Sequence, residues 1–370
     1  MAFPRKTIYI AVIGTGGVGK CFLSQLENLS KKFQDDQSLP ILSLILVSRS
    51  KNLLFTPDYN GISFDDLLIS LNNSTQCQLS IHEMIDFLAN APSSAVLIDN
   101  TSSQEIANSY PQFLAKGINI VTPNKKAFSG SLHLWQDIFT AATKSGARIF
   151  HESSVGAGLP VISTLNDLID TGDEVIKIEG VFSGTMSFLF NSFTPTEGAG
   201  GLWSAEVLRA KELGYTEPDP RDDLNGLDVA RKLTILARLS GIQLESPMSF
   251  PVQSLIPKEL EKVTCRDEFL RRLPEFDFHM EEIKQTAEKI GKVLRYVGSV
   301  DVVKKEAKVS IEMFDRSHPI AALKGSDNLI SFYTKRYDKG SLIIQGAGAG
   351  GEVTAMGVTG DLLKVVKCIS

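Results

Sequence analysis

The chain has 370 residues, of which 43% are hydrophobic and 22% charged, with a net charge of −5 and a pI near 5.7. This length predicts about two domains at roughly 150 residues each, and the composition is typical of a globular protein. The acidic balance disfavours a general nucleic-acid-binding protein. The sequence has no apolar run long enough to predict a membrane span.

The cysteines and the N-terminal sequence indicate the compartment. The first residues lead directly into an apolar strand pattern, so we expect no signal or transit peptide. The four cysteines lack the spacing of a metal site, which is typical of free thiols in a reducing compartment; they are Cys21, Cys77, Cys265 and Cys368. We therefore expect a cytoplasmic protein.

The first half of the chain alternates strand and helix patterns. Strands are predicted at residues 7–13, 41–48, 95–99, 117–121 and 147–152, and helices at 18–29, 104–116 and 132–145. The strands are unbroken apolar runs, which is typical of a parallel sheet covered by helices on both faces. We therefore predict an α/β protein whose first domain, over residues 1–150, is a doubly wound Rossmann-type nucleotide domain.

The pattern changes from about residue 180. Strands are predicted at residues 175–182, 294–302, 307–313 and 341–345, and helices at 185–193, 224–240, most of 259–292, and 352–368. This order predicts a second, α+β domain over residues 151–340. A Gly-rich turn suited to close backbone approach precedes the last helix. We expect this C-terminal segment, residues 341–370, to return to the first domain and complete it.

The first predicted strand runs into a Gly-x-Gly-x-x-Gly sequence and then a helix, the context that a dinucleotide-binding motif requires. Gly14 permits the tight turn, Gly16 lets a pyrophosphate approach the backbone, and Gly19 allows close helix–strand packing. The helix N-terminus supplies amides for the phosphates. The predicted cofactor-binding residues of this turn are Gly14, Gly16, Gly17, Val18 and Gly19. A βα turn without a ligand is the alternative interpretation.

The end of the second strand indicates which cofactor is preferred. An NAD site places an acidic residue there to hold the ribose 2′-hydroxyl, but this strand ends in Ser48-Arg49-Ser50-Lys51. Arg49, helped by Ser48, Ser50 or Lys51, suits the 2′-phosphate of NADP, so we predict NADP over NAD; solvated loop charges at Arg49 and Lys51 are the alternative. Thr101 follows another strand at the edge where doubly wound sheets bind ligands, so we expect it to contact the cofactor. It could equally serve as part of a helix N-cap.

The most informative segment is GYTEPDPRDDLNGLDVARK at residues 214–232. On the predicted helix, Asp228 and Lys232 are i,i+4 neighbours on a face that continues as an apolar stripe. A core-facing lysine is costly unless it is paired, and such pairs are often functional. Pro218 and Pro220 keep the acidic loop before the helix out of regular structure. We interpret the segment as a pocket for a small charged molecule; a surface ion pair is the alternative.

Two other segments follow predicted strands of the first domain. TPNKKA at residues 122–127 presents two adjacent lysines, of which one would point inward, although a solvated loop is the alternative. HESSVGAGLP at residues 151–160 combines Glu152 with a Gly-rich turn that exposes carbonyl oxygens. Hard cations take oxygen ligands of this kind, and a simple turn is the default.

Together these segments resemble homoserine dehydrogenase in its short fungal-type form. The resemblance extends to DNTSS at 99–103, EGVFSGT at 179–185, FPVQSLIP at 250–257 and SHPIAALKGSDN at 317–328, so it covers nearly the whole chain. It implies the reversible NAD(P)-dependent reduction of L-aspartate 4-semialdehyde to L-homoserine in threonine, methionine and isoleucine biosynthesis. It also implies that the second domain binds substrate and forms a homodimer, and that neither an aspartate kinase nor a C-terminal regulatory domain is attached.

The resemblance implies roles for particular residues. Lys232 would donate and accept the proton, Asp228 would orient it, and Lys125 would lie near the substrate and nicotinamide. The residues implied to bind substrate are Glu217, for the ammonium group, with Asp223, Gly214, Tyr215 and Asp228. Gly350 and Lys125 would contact the cofactor. A monovalent cation, for which sodium is expected, would be held by Glu152 and the carbonyls of Val155, Ala157 and Leu159.

Three other functions were weighed against the sequence. An NADP-dependent reductase of another amino-acid semialdehyde is the alternative from the same class. A phosphorylating aldehyde dehydrogenase needs a cysteine nucleophile, and no cysteine lies near the Lys232 segment. An NADP-binding regulator without catalysis would show a damaged pocket, yet the lysines and carboxylates assigned to it are all present.

Overall fold

The computed structural model describes residues 5–369. It contains two compact units: the first takes in the chain up to Gly158 and again from Gly350 onward, and the second is Leu159–Ala349. The boundaries predicted after residues 150 and 340 lie eight and nine residues before those of the structure, after Gly158 and Ala349. Within the described part of the chain, no helix is long and apolar enough to cross a membrane.

The first unit is built on a six-stranded sheet in the order β3-β2-β1-β4-β5-β6. Its strands are β1 (Thr7–Ile13), β2 (Ile41–Ser48), β3 (Leu53–Phe55), β4 (Ala95–Asp99), β5 (Asn119–Val121) and β6 (Ile149–Phe150). Every neighbouring pair is parallel except β2 and β3. This arrangement confirms the predicted doubly wound sheet. The antiparallel edge strand β3 was not predicted because three residues are too short to show a period.

The helices that follow these strands come from amphipathic segments of the first 158 residues. They are α1 (Gly17–Asp35), α2 (Leu67–Asn73), α3 (Ile81–Ala89), α4 (Gln104–Ala115), α5 (Lys126–Ser129) and α6 (Leu132–Ser145). A 3₁₀ turn at Glu152–Ser154 shortens the strand predicted over residues 147–152. The reason is that the Glu152 N–H donates to a side-chain oxygen of Asp361, 2.7 Å away, instead of to a strand neighbour.

The second unit is α+β, with a five-stranded antiparallel sheet in the order β11-β10-β7-β8-β9. Its strands are β7 (Val175–Val181), β8 (Lys292–Asp301), β9 (Glu306–Asp315), β10 (Asp327–Thr334) and β11 (Leu342–Ala347). Its helices are α7 (Val161–Asp170), α8 (Gly184–Phe193), α9 (Trp203–Glu212), α10 (Arg221–Leu224), α11 (Leu227–Leu239), α12 (Arg266–Arg272) and α13 (Asp277–Lys289). Short 3₁₀ turns lie at Lys258–Leu260 and Leu273–Phe276.

The helix predicted over residues 224–240 is α11, but it begins at Leu227 and not at residue 224. α10 ends at Leu224 and α11 begins at Leu227, with Gly226 between them in the left-handed region at φ +74°. A Cβ on Gly226 would lie 2.1 Å from the hydroxyl oxygen of Tyr296. The break therefore depends on a glycine in close contact with β8.

The last helix, α14 (Gly351–Ile369), belongs to the first unit and packs against α1. Its buried side chains Val358 and Leu362 join Phe22 and Leu26 of α1 in one apolar cluster. The residues just before it form β11 in the sheet of the second unit. The helix alone, and not the whole of residues 341–370, thus completes the first unit.

Candidate active site

The turn between β1 and α1 is closed on one side and open on the other. A Cβ on Gly14, which has φ +89°, would lie 2.8 Å from Thr101 Cγ2, and one on Gly19 would lie 2.0 Å from the Gly14 carbonyl oxygen. A Cβ on Gly16 would meet nothing within 4 Å. No side chain caps α1 at Gly16. The backbone at the start of α1 therefore has open space beside it at Gly16, where a phosphate could approach the helix N-terminus.

A cavity of about 820 Å³ lies beside this turn. Four segments of the first unit line it: the glycine turn, the end of β2, the start of α3, and the loop after β4. The lining residues include Gly14, Gly16, Ser48, Arg49, Ser80, Met84, Thr101 and Ser103. This volume is in the range of sites that hold small molecules and cofactors.

Polar groups in the cavity wall fit a dinucleotide. Within the described residues, the buried Thr15 Oγ1 and both polar atoms of the Asn100 amide have no hydrogen-bond partner. Buried polar atoms are normally paired, and phosphate, ribose or carboxamide groups could supply such partners. Arg49 is exposed at the rim, where its side chain donates to Asn72 Oδ1 at 2.8 Å. A guanidinium has five N–H donors, so Arg49 retains donors for a phosphate.

A buried carboxylate joins the loops that follow β4 and β5. Asp99 Oδ1 accepts from the Thr101 N–H at 2.8 Å, and Oδ2 accepts from the Tyr110 hydroxyl at 2.5 Å and from Asn124 Nδ2 at 3.1 Å. Burial raises the pKa of the Asp99 carboxyl, and these hydrogen bonds oppose the rise. The network links the cavity-lining loop to the segment that carries Lys125.

Lys125 is the residue immediately before α5. Its backbone is already helical, and its carbonyl accepts from the N–H groups of Phe128 and Ser129 at 3.0 and 2.9 Å. The side chain is half-buried. The start of a short helix thus holds the Lys125 backbone at the carboxyl end of β5.

Glu152 lies in a charged cluster with α14. Its carboxylate accepts from Lys364 Nζ at 3.3 Å, and Lys364 also donates to Asp361 at 2.9 Å. Burial raises the pKa of Asp361 to about 6, and the charge of Lys364 opposes the rise. Val155 and Ala157 are buried in the following turn, where Ala157 has φ +54°. Among the described residues no group of three His, Cys, Asp or Glu side chains could hold a metal ion.

The second unit contains a buried lysine. The side chain of Lys232 on α11 is 7% exposed, and its Nζ lies 2.8 Å from Asp228 Oδ2, one helical turn earlier. Nζ also donates to the Phe182 carbonyl at 2.5 Å. The side chain of Asp228 is 44% exposed. Burying an ammonium group is costly unless it is paired, and this lysine has both an anionic and a carbonyl partner.

The loop before α10 brings carboxylates together. Asp223 Oδ2 accepts from the Glu217 N–H at 2.8 Å, and Asp223 Oδ1 lies 2.8 Å from Thr185 Oγ1. Burial raises the pKa of Asp223, and the nearby negative charges of Glu217 and Asp228 raise it further. This part of the second unit therefore concentrates negative charge, which suits a cationic group of a ligand.

Gly214 and Tyr215 form the turn that leads from α9 into this loop. Gly214 has φ +75°, and a Cβ there would meet nothing within 4 Å. The ring of Tyr215 stacks on Phe188 of α8 with a centroid distance of 4.5 Å, and its carbonyl accepts from Thr185 Oγ1 at 2.6 Å. α8 therefore holds the loop at two points.

Comparison with known proteins identifies the family. The family model described as homoserine dehydrogenase matches residues 160–363, and the model described as homoserine dehydrogenase, NAD binding domain, matches residues 14–152. A homoserine dehydrogenase of Emericella nidulans is 55% identical, over 97% of this chain and 98% of its own length. The chain belongs to the homoserine dehydrogenase family. A homoserine dehydrogenase of Saccharomyces cerevisiae is 49% identical, over 98% of this chain and 99% of its own.

Two solved structures share the fold of this chain. A Candida auris protein of unknown function is 44% identical and superposes with a TM-score of 0.92, covering 99% of each chain. A mutant hyperthermophilic archaeal homoserine dehydrogenase in complex with NADPH is 23% identical, with a TM-score of 0.72 over 98% of this chain and 99% of its own. The archaeal structure shows that the fold is shared.

The structure brings together some of the residues that the sequence predicted for the cofactor. Gly14, Gly16, Arg49 and Thr101 line the cavity. Gly17, Val18 and Gly19 belong to the first turn of α1, and neither Lys125 nor Gly350 is among the cavity-lining residues. A Cβ on Gly351 would lie 3.4 Å from the Gly17 carbonyl oxygen, so the last Gly-rich turn lies against the start of α1.

The residues predicted for the other sites are distributed over both units. In the second unit, Lys232 pairs with Asp228, and Glu217 contacts Asp223. The predicted cation ligands Glu152, Val155 and Ala157 belong to the first unit, whereas Leu159 is the first residue of the second.

Sequence patterns did not predict several residues of these sites. Thr185, Tyr110 and Asn124 contact site residues only through long-range hydrogen bonds. The start of α3 also lines the cavity, and it has a detectable signal. Ser80 and Glu83 form a capping box, a pattern that marks a helix N-terminus in a sequence.

Proposed function

We propose that this protein is a homoserine dehydrogenase that interconverts L-homoserine and L-aspartate 4-semialdehyde in threonine, methionine and isoleucine biosynthesis. The observation that carries the proposal is the buried Lys232–Asp228 pair beside the Glu217–Asp223 loop. Relatives named as homoserine dehydrogenases are about half identical over nearly the whole chain, which supports the same reaction. A bound nicotinamide cofactor would supply or accept the hydride.

Lys232 is proposed as the proton donor and acceptor. When the aldehyde is reduced, negative charge develops on its oxygen, and an ammonium group can stabilise that charge and deliver a proton. A positioned acid of this kind typically contributes about 10²–10⁴ in rate. The Phe182 carbonyl and Asp228 hold Nζ in place. Lys125 is proposed as a second cation toward the substrate and nicotinamide.

The Glu217 loop is proposed to bind the substrate ammonium group. Glu217 is exposed, and Asp223 holds its backbone through a 2.8 Å hydrogen bond. The carboxylates of this loop attract a cation, and homoserine carries an ammonium group at neutral pH. Asp223, Asp228, Gly214 and Tyr215 would form the rest of the substrate pocket.

The cofactor is proposed to be NADP in preference to NAD. The cavity beside the glycine turn supports dinucleotide binding, and the match of residues 14–152 to an NAD binding domain supports a nicotinamide cofactor. Arg49 at the rim would pair with a 2′-phosphate. Gly17, Val18, Gly19 and Gly350 would provide backbone contacts near the pyrophosphate.

The deciding experiment mixes purified protein with L-homoserine and NADP⁺ or NAD⁺ and follows the absorbance of the reduced cofactor. We expect a homoserine-dependent rise that is faster with NADP⁺. Absence of any rise, from folded protein that binds NADPH, would contradict the proposed reaction and favour another amino-acid semialdehyde as substrate.

The same assay tests the role of Arg49. Arg49→Ala should raise the KM for NADP⁺ by roughly tenfold, about what loss of one charge-assisted contact costs, and leave that for NAD⁺ nearly unchanged. Lys51→Ala is the matched control, because Lys51 is an exposed cation two residues away that does not line the cavity. Equal effects of Arg49→Ala on the two cofactors would contradict the 2′-phosphate assignment.

A monovalent cation, sodium, is proposed at the turn after Glu152. The Lys364 ammonium already pairs with the Glu152 carboxylate, so the main-chain carbonyls of Glu152, Val155, Ala157 and Leu159 are the proposed ligands. Oxygen ligands of this kind suit a hard cation. Thermal unfolding in sodium chloride should occur at a higher temperature than in choline chloride of the same ionic strength. Equal melting temperatures would rule out the site.

A homodimer and a cytoplasmic location are also proposed; the homodimer rests on the family resemblance, and the location is supported by the four free cysteines. Sedimentation velocity should give twice the mass of the 40.4 kDa chain. A sedimenting species of one chain at micromolar concentration would contradict the homodimer.

A further inference from the structure

A buried, hydrogen-bonded group in the first unit joins the loop after β4, which lines the cavity, to the loop after β5. It consists of Asp99, Tyr110, Thr122 and Asn124, and we call it the Asp99 cluster. Besides its bonds to Asp99, the Tyr110 hydroxyl lies 3.0 Å from Thr122 Oγ1, and Thr122 donates to the Asp99 carbonyl at 2.8 Å. All four side chains are at most 3% exposed.

This arrangement is costly for a purely structural core. Within the described residues Asp99 forms no ion pair, so hydrogen bonds alone stabilise its carboxylate. Burying a carboxylate is unfavourable unless it is fully hydrogen-bonded, and apolar residues of similar volume often stabilise a core at least as well. The cluster therefore has a role that apolar side chains could not fill, because its directional hydrogen bonds fix the positions of the groups they join.

The geometry concerns two loops. In the loop after β4, the Thr101 N–H donates to Asp99, and the Ser103 carbonyl accepts from Asn124 Nδ2 at 3.0 Å. Both Thr101 and Ser103 line the cavity. In the loop after β5, Asn124 Oδ1 accepts from the Lys126 N–H at 3.1 Å. One amide side chain thus bridges the cavity-lining loop and the segment on both sides of Lys125.

We propose that Asp99, Tyr110 and Asn124 are positioning residues that hold the cofactor-binding loop and Lys125 in one relative arrangement. Tyr110 lies on α4 and is not a cavity-lining residue, so it acts only through Asp99 and Thr122. This inference rests on the proposed function, because it treats the cavity as the cofactor site.

The test compares two tyrosine variants by NADPH fluorescence titration. Tyr110→Phe removes one donor to Asp99 and should raise the Kd for NADPH by roughly three- to tenfold, within the range that loss of one typical hydrogen bond gives. Tyr296→Phe is the matched control. That tyrosine is also 1% exposed and donates to the Gln253 carbonyl at 2.6 Å, but in the second unit. Tyr296→Phe should lower the stability of the protein and leave the Kd for NADPH at its wild-type value.

A second measurement separates this inference from the proposed function. Hydrogen exchange of the amides at residues 100–103 and 122–126 should be faster in Tyr110→Phe than in Tyr296→Phe, whether or not NADPH is the cofactor. Failure of the wild-type protein to bind NADPH would contradict the proposed function, and unchanged exchange in these loops would overturn the positioning role. If Tyr110→Phe does not fold, Asn124→Ser provides the same two measurements.

A double variant tests whether the residues act together. Tyr110 and Asn124 both donate to Asp99 Oδ2, so their effects on the Kd for NADPH should not be additive. Additive effects of Tyr110→Phe and Asn124→Ser would mean that they act separately and would overturn the proposed cluster.

Discussion

Two buried lysines of the second unit show how one residue type takes different roles. Lys232 pairs with Asp228, whose side chain is 44% exposed and faces the loop of carboxylates. The side chain of Lys284 is 8% exposed, its Nζ lies 3.5 Å from Glu281 Oε2, and it donates to the carbonyls of Gly200 and Gly201. These contacts tie a Gly-rich loop to α13. The carboxylate partner of Lys232 instead lies close enough to Asp223 for its negative charge to raise the pKa of that carboxyl.

Replacement of Lys232 should remove turnover without removing cofactor binding. Lys232→Met keeps an unbranched side chain of similar length but removes the ammonium group, so kcat should fall by about 10²–10⁴, the usual effect of losing a general acid. Lys284→Met is the control, because it removes an equally buried ammonium group from the same unit. Steady-state kinetics and NADPH titration measure both effects. Near-normal kcat in Lys232→Met would show that another group transfers the proton.

Glu217 should affect substrate binding more than turnover. Glu217→Gln removes the charge proposed to pair with the substrate ammonium group, so the KM for homoserine should rise by about tenfold or more, as for other charged contacts. Asp222→Asn is the matched control, since Asp222 is an exposed carboxylate in the same segment. A KM that responds equally to both changes would place the ammonium site elsewhere.

At the scale of elements, α11 depends on a glycine at each end. Gly226 precedes the helix at φ +74° and Gly241 follows it at φ +87°, so both backbones are left-handed. They differ in their surroundings: a Cβ at Gly226 would lie 2.1 Å from the Tyr296 hydroxyl oxygen, whereas one at Gly241 would meet nothing within 4 Å. The first glycine separates α10, which carries Asp223, from the helix that carries Asp228 and Lys232.

The two glycines should therefore respond differently to alanine. Gly241→Ala should lower the free energy of unfolding by about 1 kcal/mol, the typical cost of a left-handed alanine. Gly226→Ala adds a steric clash with a residue that is 1% exposed, so the loss should exceed that of Gly241→Ala and kcat should fall because α11 moves. Urea unfolding and steady-state kinetics measure both. Equal losses would show that Tyr296 moves aside freely.

At the scale of the whole molecule, the chain leaves the first unit at Gly158 and re-enters it at Gly350. The core of the first unit therefore joins residues from opposite ends of the sequence, such as Phe22 of α1 and Leu362 of α14. Burial of these side chains is the principal stabilising term for such a contact. The stability of the nucleotide-binding unit should thus depend on the last helix of the chain.

One substitution in α14 tests this dependence. Leu362→Ala leaves a cavity in the core and should cost about 2–5 kcal/mol in unfolding free energy, with weaker NADPH binding. Met356→Ala on the same helix is the control. Met356 is 52% exposed, so this substitution should change the free energy of unfolding by no more than about 0.5 kcal/mol. Chemical denaturation followed by NADPH fluorescence reports on the first unit. An unchanged free energy of unfolding in Leu362→Ala would mean that this unit folds without α14.

The elements that were predicted and those that were missed differ in how local their signals are. β1, β2 and β4 were predicted at the bounds the structure shows, because each is a continuous apolar run between turn residues. β10 and α9 were missed. β10 pairs with β11, which begins eight residues after it, and with β7, about 150 residues earlier. Only the pairing with β7 leaves no nearby pattern in the sequence. The start of α11 at Leu227 was missed for a related reason, since Tyr296, which Gly226 contacts, lies 70 residues further along the chain.

The sequence by itself determined the doubly wound sheet, the glycine turn and the i,i+4 spacing of Asp228 and Lys232. These features depend on the periodicity of apolar residues and on contacts between residues a few positions apart, and both can be read from the amino-acid sequence. Only the tertiary structure decided that Thr185 supports Asp223 and that Tyr110 and Asn124 converge on Asp99. Such contacts form when folding brings distant polar groups into one buried site, where each must find a partner.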